Sequence, residues 1–156
     1  MPYKDKKQRL LYEREYYRKN REKLLNRMRE HYNKDKEGYR RIHTDDRGEI
    51  WGITVGEREY ILILTKKGYS RGGDYHKTKQ FFVVLEGQML VKEYYLAGER
   101  TQVLMEGGSI IIPERIPHMF TAETDCLVLE WLEGEFEKEY FEPYRKIIRR
   151  GKDEKL

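Results

Sequence analysis

Apolar positions recur with two different periods along this chain. In residues 4–37, Tyr12, Tyr16, Leu24, Met28 and Tyr32 are spaced at multiples of four on a background of Lys, Arg and Glu, with no Gly or Pro. Good helix formers with one narrow apolar stripe predict a helix that ends at Gly38. From Glu49 onward the period shortens to two. Eight segments (49–55, 59–66, 80–86, 88–95, 100–105, 109–113, 118–122 and 126–131) are rich in β-branched and aromatic residues. They are separated by Gly56, Gly68, Gly72-Gly73, Gly87, Gly98 and Gly107-Gly108. Short alternating segments between glycine turns read as strands, and many of them at even spacing predict a sandwich or barrel. After Gly134 the helical period returns in Phe136, Tyr140, Tyr144 and Ile148. Pro143 inside that run predicts a break or a late helix start.

Charge divides the chain at the same place. Residues 1–41 hold 15 Lys/Arg against 7 Asp/Glu, a net of +8, whereas the remaining residues hold 17 against 21, a net of −4. The organisation predicted is therefore a basic helical arm, 1–41, joined to a β-rich body with a C-terminal helix, 42–156. No apolar run is long enough to span a bilayer. The first twenty residues lack the apolar segment of a secretory signal, so a cytoplasmic protein without membrane contact is expected. A single cysteine, Cys126, excludes an internal disulfide and a thiolate-rich zinc site. Two readings of the arm stand side by side. Lys and Arg interleaved with tyrosines suit phosphates and bases, making nucleic acid a partner through residues 1–41. The seven acids instead suit a solvated helix laced with ion pairs, its stripe docked on the body or on a second subunit.

Two motifs carry the candidate chemistry. The first runs from Gly68 through Asp74-Tyr75-His76-Lys77-Thr78-Lys79-Gln80 to Gly87, and the second from Gly107 through Pro113 to His118. Their spacing resembles the two motifs of the cupin superfamily. In that pattern Asp74 stands where the family has its first histidine, Gln80 where it has glutamate, and Arg115 where it has glycine. The resemblance implies a mainly β, single cupin barrel (a double-stranded β-helix or jelly roll), flanked here by the basic helical arm and the C-terminal helix. It also implies that Asp74, His76, Gln80 and His118 point into the barrel and hold a divalent metal. Two imidazoles and a carboxylate suit Mn, Fe, Zn or Ni. The alternative is a metal-free, hydrogen-bonded polar cluster. Asp74 and His76, two apart on a strand, share a face.

Arg71-Gly72-Gly73 followed by His76-Lys77 is similar, more weakly, to a segment of cupin nucleotide-sugar ketoisomerases. That likeness implies His76 and His118 as catalytic proton carriers and Arg71 and Lys77 as substrate-binding cations. The function expected is binding of a small molecule, a sugar or nucleotide-sugar, in the barrel of a homodimer, with isomerase or epimerase chemistry. The alternatives are a non-enzymatic ligand-sensing cupin with a nucleic-acid-binding arm, and a structural dimer with a vestigial site.

Overall fold

The computed structural model describes residues 39–153 together with the helical residues Glu22, Lys23, Leu25 and Asn26. The other expectations for the arm, its apolar stripe and its nucleic-acid contacts, lie outside the described residues.

The eight alternating segments all form strands, and three more join them. In chain order they are β1 (Tyr39–Asp45), β2 (Gly48–Val55), β3 (Arg58–Thr65), β4 (Ser70–Tyr75), β5 (Gln80–Glu86), β6 (Gln88–Tyr95), β7 (Gly98–Met105), β8 (Ser109–Ile112), β9 (His118–Ala122), β10 (Cys126–Leu132) and β11 (Glu139–Tyr140), followed by helix α1 (Glu142–Asp153). Two antiparallel sheets result, with orders β1-β2-β3-β10-β5-β8 and β11-β4-β9-β6-β7. Consecutive strands repeatedly cross between sheets, as in a jelly roll. The inward faces of the central strands are buried: Phe82 and Val84 on β5, Met89 and Val91 on β6, Phe120 and Ala122 on β9, and Val128 on β10 make a single core. That core fills one end of the barrel and leaves the other end to polar side chains.

Helix α1 closes the outer face of the smaller sheet. Tyr144 and Ile148, four apart, pack on Met119 with Phe141 beside them, a burial contributing about 1.5–3 kcal/mol per side chain. The helix is shorter than the apolar period suggested. Pro143 occupies its first turn, where the missing N–H costs nothing, and Tyr140 belongs instead to β11, paired with Asp74 of β4. Phe136 lies in the connecting segment between β10 and β11.

Candidate metal and ligand site

Strand β4 has little intrinsic strand preference, being Ser-Arg-Gly-Gly-Asp-Tyr. Its neighbours β9 and β11 impose the pairing. Gly72 and Gly73 both take positive φ, 84° and 76°, a conformation that favours glycine. They form a bulge, because Gly72 pairs with Met119 and Asp74 with His118, leaving Gly73 as the extra residue. The bulge decides which side chains enter the barrel. Arg71 and Asp74 are three apart and would face opposite ways on a regular strand. With one residue looped out, Arg71 stands opposite Phe120 and Asp74 opposite His118, and both line the cavity.

His76 follows at the end of β4 and His118 begins β9. Each imidazole is tied by its Nδ1 to a backbone carbonyl, His76 to Glu137 O at 2.7 Å and His118 to Ile116 O at 3.1 Å. Carbonyls only accept, so both Nδ1 atoms carry hydrogen, and in the neutral ring it is Nε2 that holds the lone pair. Both Nε2 atoms face one carboxylate oxygen: Asp74 Oδ1 lies 3.8 Å from His76 Nε2 and 3.7 Å from His118 Nε2. The three donor atoms lie within 4.8 Å of one another. Tetrahedral ligands bonded at about 2.1 Å are about 3.4 Å apart; the two distances to Asp74 Oδ1 are within a few tenths of an ångström of that, and a bound divalent ion would draw the two imidazoles together. Backbone carbonyls that orient both imidazoles are the outer partners such a site needs. Burial holds His118 below the ordinary imidazole range, against the opposing pull of Asp74.

Gln80, on β5, lies beside this group with Oε1 buried and without a hydrogen-bond partner among the described residues. Its Nε2 donates to Glu130 Oε1 at 2.7 Å. Glu130, on β10, is 5 % exposed. Burial pushes its carboxyl up to about 7, opposed by the Gln80 hydrogen bond and helped by nearby Asp74. Glu130 was absent from the residues expected at the site. Its signal was nonetheless available, since Cys126, Val128 and Glu130 alternate inward and an acid at an inward position needs a reason.

The cavity encloses about 300 Å³. Beyond the Asp74–His76–His118 group its wall is apolar (Ile61, Ile63, Phe82, Phe120) and then cationic, with Arg47, Arg71 and Arg145. Arg71 is buried and hydrogen-bonded to Thr65 Oγ1 at 2.9 Å. Burial lowers its guanidinium to about 10, with Arg47 adding to the effect and Asp45 opposing it. Phe136 also lines the cavity, with its ring 5.4 Å from that of His76. Lys77 is directed elsewhere, pairing with Glu137 at 2.7 Å while more than half exposed, and lies beside a separate shallow hollow with Tyr75 and Glu139. Arg115 has φ 60°, the conformation for which the second motif's glycine is suited, and its N–H donates to His76 O at 2.7 Å.

The comparisons agree with this architecture. Residues 60–134 match the cupin domain family. The capsular polysaccharide assembling protein CapF from Staphylococcus aureus is similar at TM-score 0.54 and 18 % identity, over 64 % of this chain and 30 % of that one. A deletion mutant of Bacillus subtilis oxalate decarboxylase gives 0.60 and 17 %, over 70 % and 32 %; work on that decarboxylase concerns its Mn(II) centres. This chain spans about a third of either structure, and at these identities the likeness shows the fold alone. No curated protein matches the chain. No helix among the described residues is long and apolar enough to cross a membrane. With both motifs inside a two-sheet barrel and their side chains meeting in its cavity, the β-body of this chain has the jelly-roll fold of the cupins.

Proposed function

We propose that the barrel binds a sugar-like small molecule and isomerises or epimerises it by proton transfer through His76 and His118. The observation that carries this reading is the pair of buried imidazoles, each fixed with Nδ1 protonated and each aiming Nε2 at Asp74 Oδ1. Burial lowers the His118 pKa and so favours the neutral imidazole, whose Nε2 accepts a proton from a carbon next to a carbonyl. Asp74, 3.7 Å away, stabilises the imidazolium so formed. Returning the proton to the opposite face epimerises the carbon; returning it to the neighbouring carbon isomerises the sugar. Phe136 and the apolar wall keep water from that proton. Arg71 orients the ligand. Lys77 contributes through Glu137, pinning the segment whose carbonyl orients His76.

Asp74, His76 and His118 would also hold a divalent cation, Mn, Fe, Zn or Ni, with Gln80 Oε1 as a neutral fourth donor. When bound, such an ion polarises a carbonyl or hydroxyl oxygen. Metal holding and proton transfer use the same two Nε2 lone pairs, so loaded and stripped protein must differ. The same reading takes the protein as a homodimer, supported by exposed Val103, Met105 and Ile111 on the open edge strands β7 and β8.

The test is solvent exchange. Chelator-treated and Mn-loaded protein are incubated in D2O with a panel of aldoses, ketoses and nucleotide-sugars, and the protons beside the carbonyl are followed by NMR. Deuterium incorporation that His118→Gln abolishes is the expected result. No exchange from either form with any member of the panel would overturn the isomerase reading.

A further inference from the structure

The cavity has a second, cationic end beyond the Asp74–His76–His118 group. Arg47 and Arg71 share one carboxylate, with Asp45 oxygens 2.6 Å from Arg47 Nη2 and 3.5 Å from Arg71 Nη2. Arg71 is only 4 % exposed. Two guanidiniums against one acid leave positive charge in a space that solvent screens poorly. A third guanidinium comes from the helix: Arg145 lines the same cavity and donates Nη1 to Gly72 O at 3.3 Å. Its Nε is buried with no hydrogen-bond partner among the described residues, and a buried donor left unmade is unfavourable. Gly73 makes room for it, because a Cβ there would lie 2.8 Å from Arg145 Cδ. The acids of this cavity do not neutralise that end. Glu59 pairs with Arg40, Glu130 is engaged by Gln80, and Asp74 faces the imidazoles.

We infer that the cavity takes a compact organic oxyanion of monosaccharide size, a carboxylate- or phosphate-bearing sugar derivative, with its anionic group on Arg71 and Arg145 and its hydroxyl or carbonyl end toward Asp74, His76 and His118. The inference rests on the sugar-binding reading above and adds the ligand's charge and its orientation. Size supports it: about 300 Å³ lies at the small end of ligand cavities, roughly 300–1,000 Å³. A monosaccharide acid suits that volume. Guanidinium forks match the planar oxygens of carboxylate and phosphate.

Full-length, chelator-treated protein is titrated calorimetrically with D-galactose, D-galacturonate, D-galactose 6-phosphate and inorganic phosphate. At least one anionic sugar should bind more than roughly tenfold tighter than galactose, the difference expected of charge-assisted hydrogen bonds, and the better of the two identifies the anion. Arg145→Gln should remove that gap, weakening the anionic sugars more than galactose. Equal binding of charged and neutral sugars overturns the inference, as does a gap that persists in a folded Arg145→Gln protein. If circular dichroism shows that variant unfolded, salt decides: NaCl must weaken the anionic sugars and spare galactose. Phosphate binding without binding of any sugar would retain the anion seat and refute the sugar reading.

Discussion

Replacing Glu130 with glutamine should make stability at neutral pH greater and its pH dependence different, in a way set by one carboxyl. Glu130 is enclosed between β3 and β5 on the inward face of β10, and burial raises it from the usual 4.5 to about 7. A raised carboxyl holds its proton more tightly in the folded protein. Between those two values folding takes up a proton, so stability falls as pH rises and the whole contribution is lost above about 7. An interval of that width corresponds to about 3 kcal/mol at most. His118 works in the opposite sense: its lowered value means that stability is lost as pH falls below the ordinary imidazole range. The wild-type profile is therefore partly cancelled, and the difference between variant and wild type isolates Glu130. In the Glu130→Gln protein the new side-chain carbonyl can still accept the Gln80 amide hydrogen, so packing is retained. Urea denaturation of chelator-treated protein at pH 4.5, 6 and 7.5 measures it. The two proteins should be alike at pH 4.5, and the variant midpoint should be higher by about 1–2 M at pH 7.5. Parallel profiles across this range would show that the Glu130 carboxyl does not take up its proton on folding, refuting the reasoning.

Three further outcomes follow from the site's construction. Gly73→Ala should destabilise by about 1–3 kcal/mol in chemical denaturation, since φ is 76° and the added Cβ meets Arg145 Cδ and Ile148 Cδ1 at 2.8 and 2.9 Å. Asp74→Asn should weaken Mn binding more than about tenfold by calorimetry, having removed the one charged donor; in stripped protein it should also lower the His118 pKa further by NMR, because Asp74 supports the imidazolium. Gln80→Glu alone would set a carboxylate 2.7 Å from Glu130, where the two share a proton. The double change Gln80→Glu with Glu130→Gln should therefore tighten Mn more than Gln80→Glu does, again by calorimetry.

The barrel was legible because its central segments, β5, β6 and β10, bury alternate positions, a periodicity that survives any detail of pairing. Strand β4 was not, for its Arg-Gly-Gly-Asp centre carries no β-branched residue and is made a strand by what flanks it. That same bulge hid the relation of Arg71 to Asp74: spacing of three puts them on opposite faces, and only the looped-out Gly73 reunites them. Asp74, His76 and His118 could be placed together from motif spacing. Arg145 could not, because it neighbours buried Tyr144 on a helix whose polar residues all read as solvent-facing. Phe136 fell in helical register with Tyr140 and Tyr144 by coincidence; Pro143 delayed the helix, and the intervening segment ran back across His76 instead.

The exchange of residues in the first motif makes sense as conservation of charge. The family pattern offers three imidazoles and one glutamate, a formal charge of −1 around the ion. Here Asp74, His76, Gln80 and His118 offer two imidazoles, one amide and one aspartate, also −1. The acid has moved from the β5 position to the β4 position. That move leaves Gln80 with an amide N–H that needs an acceptor inside the barrel, and β10 supplies one in Glu130 at 2.7 Å. Glu130 in turn is buried at a carboxyl that burial keeps largely protonated below neutrality, so it fixes the amide without adding a full second negative charge to the site. With Gln80 Nε2 held by Glu130, Oε1 is the atom left unpartnered among the described residues, as a neutral donor to a cation or to a ligand hydroxyl requires. On the proposed reading, Asp74, Gln80 and Glu130 thus act together in setting the charge of the site.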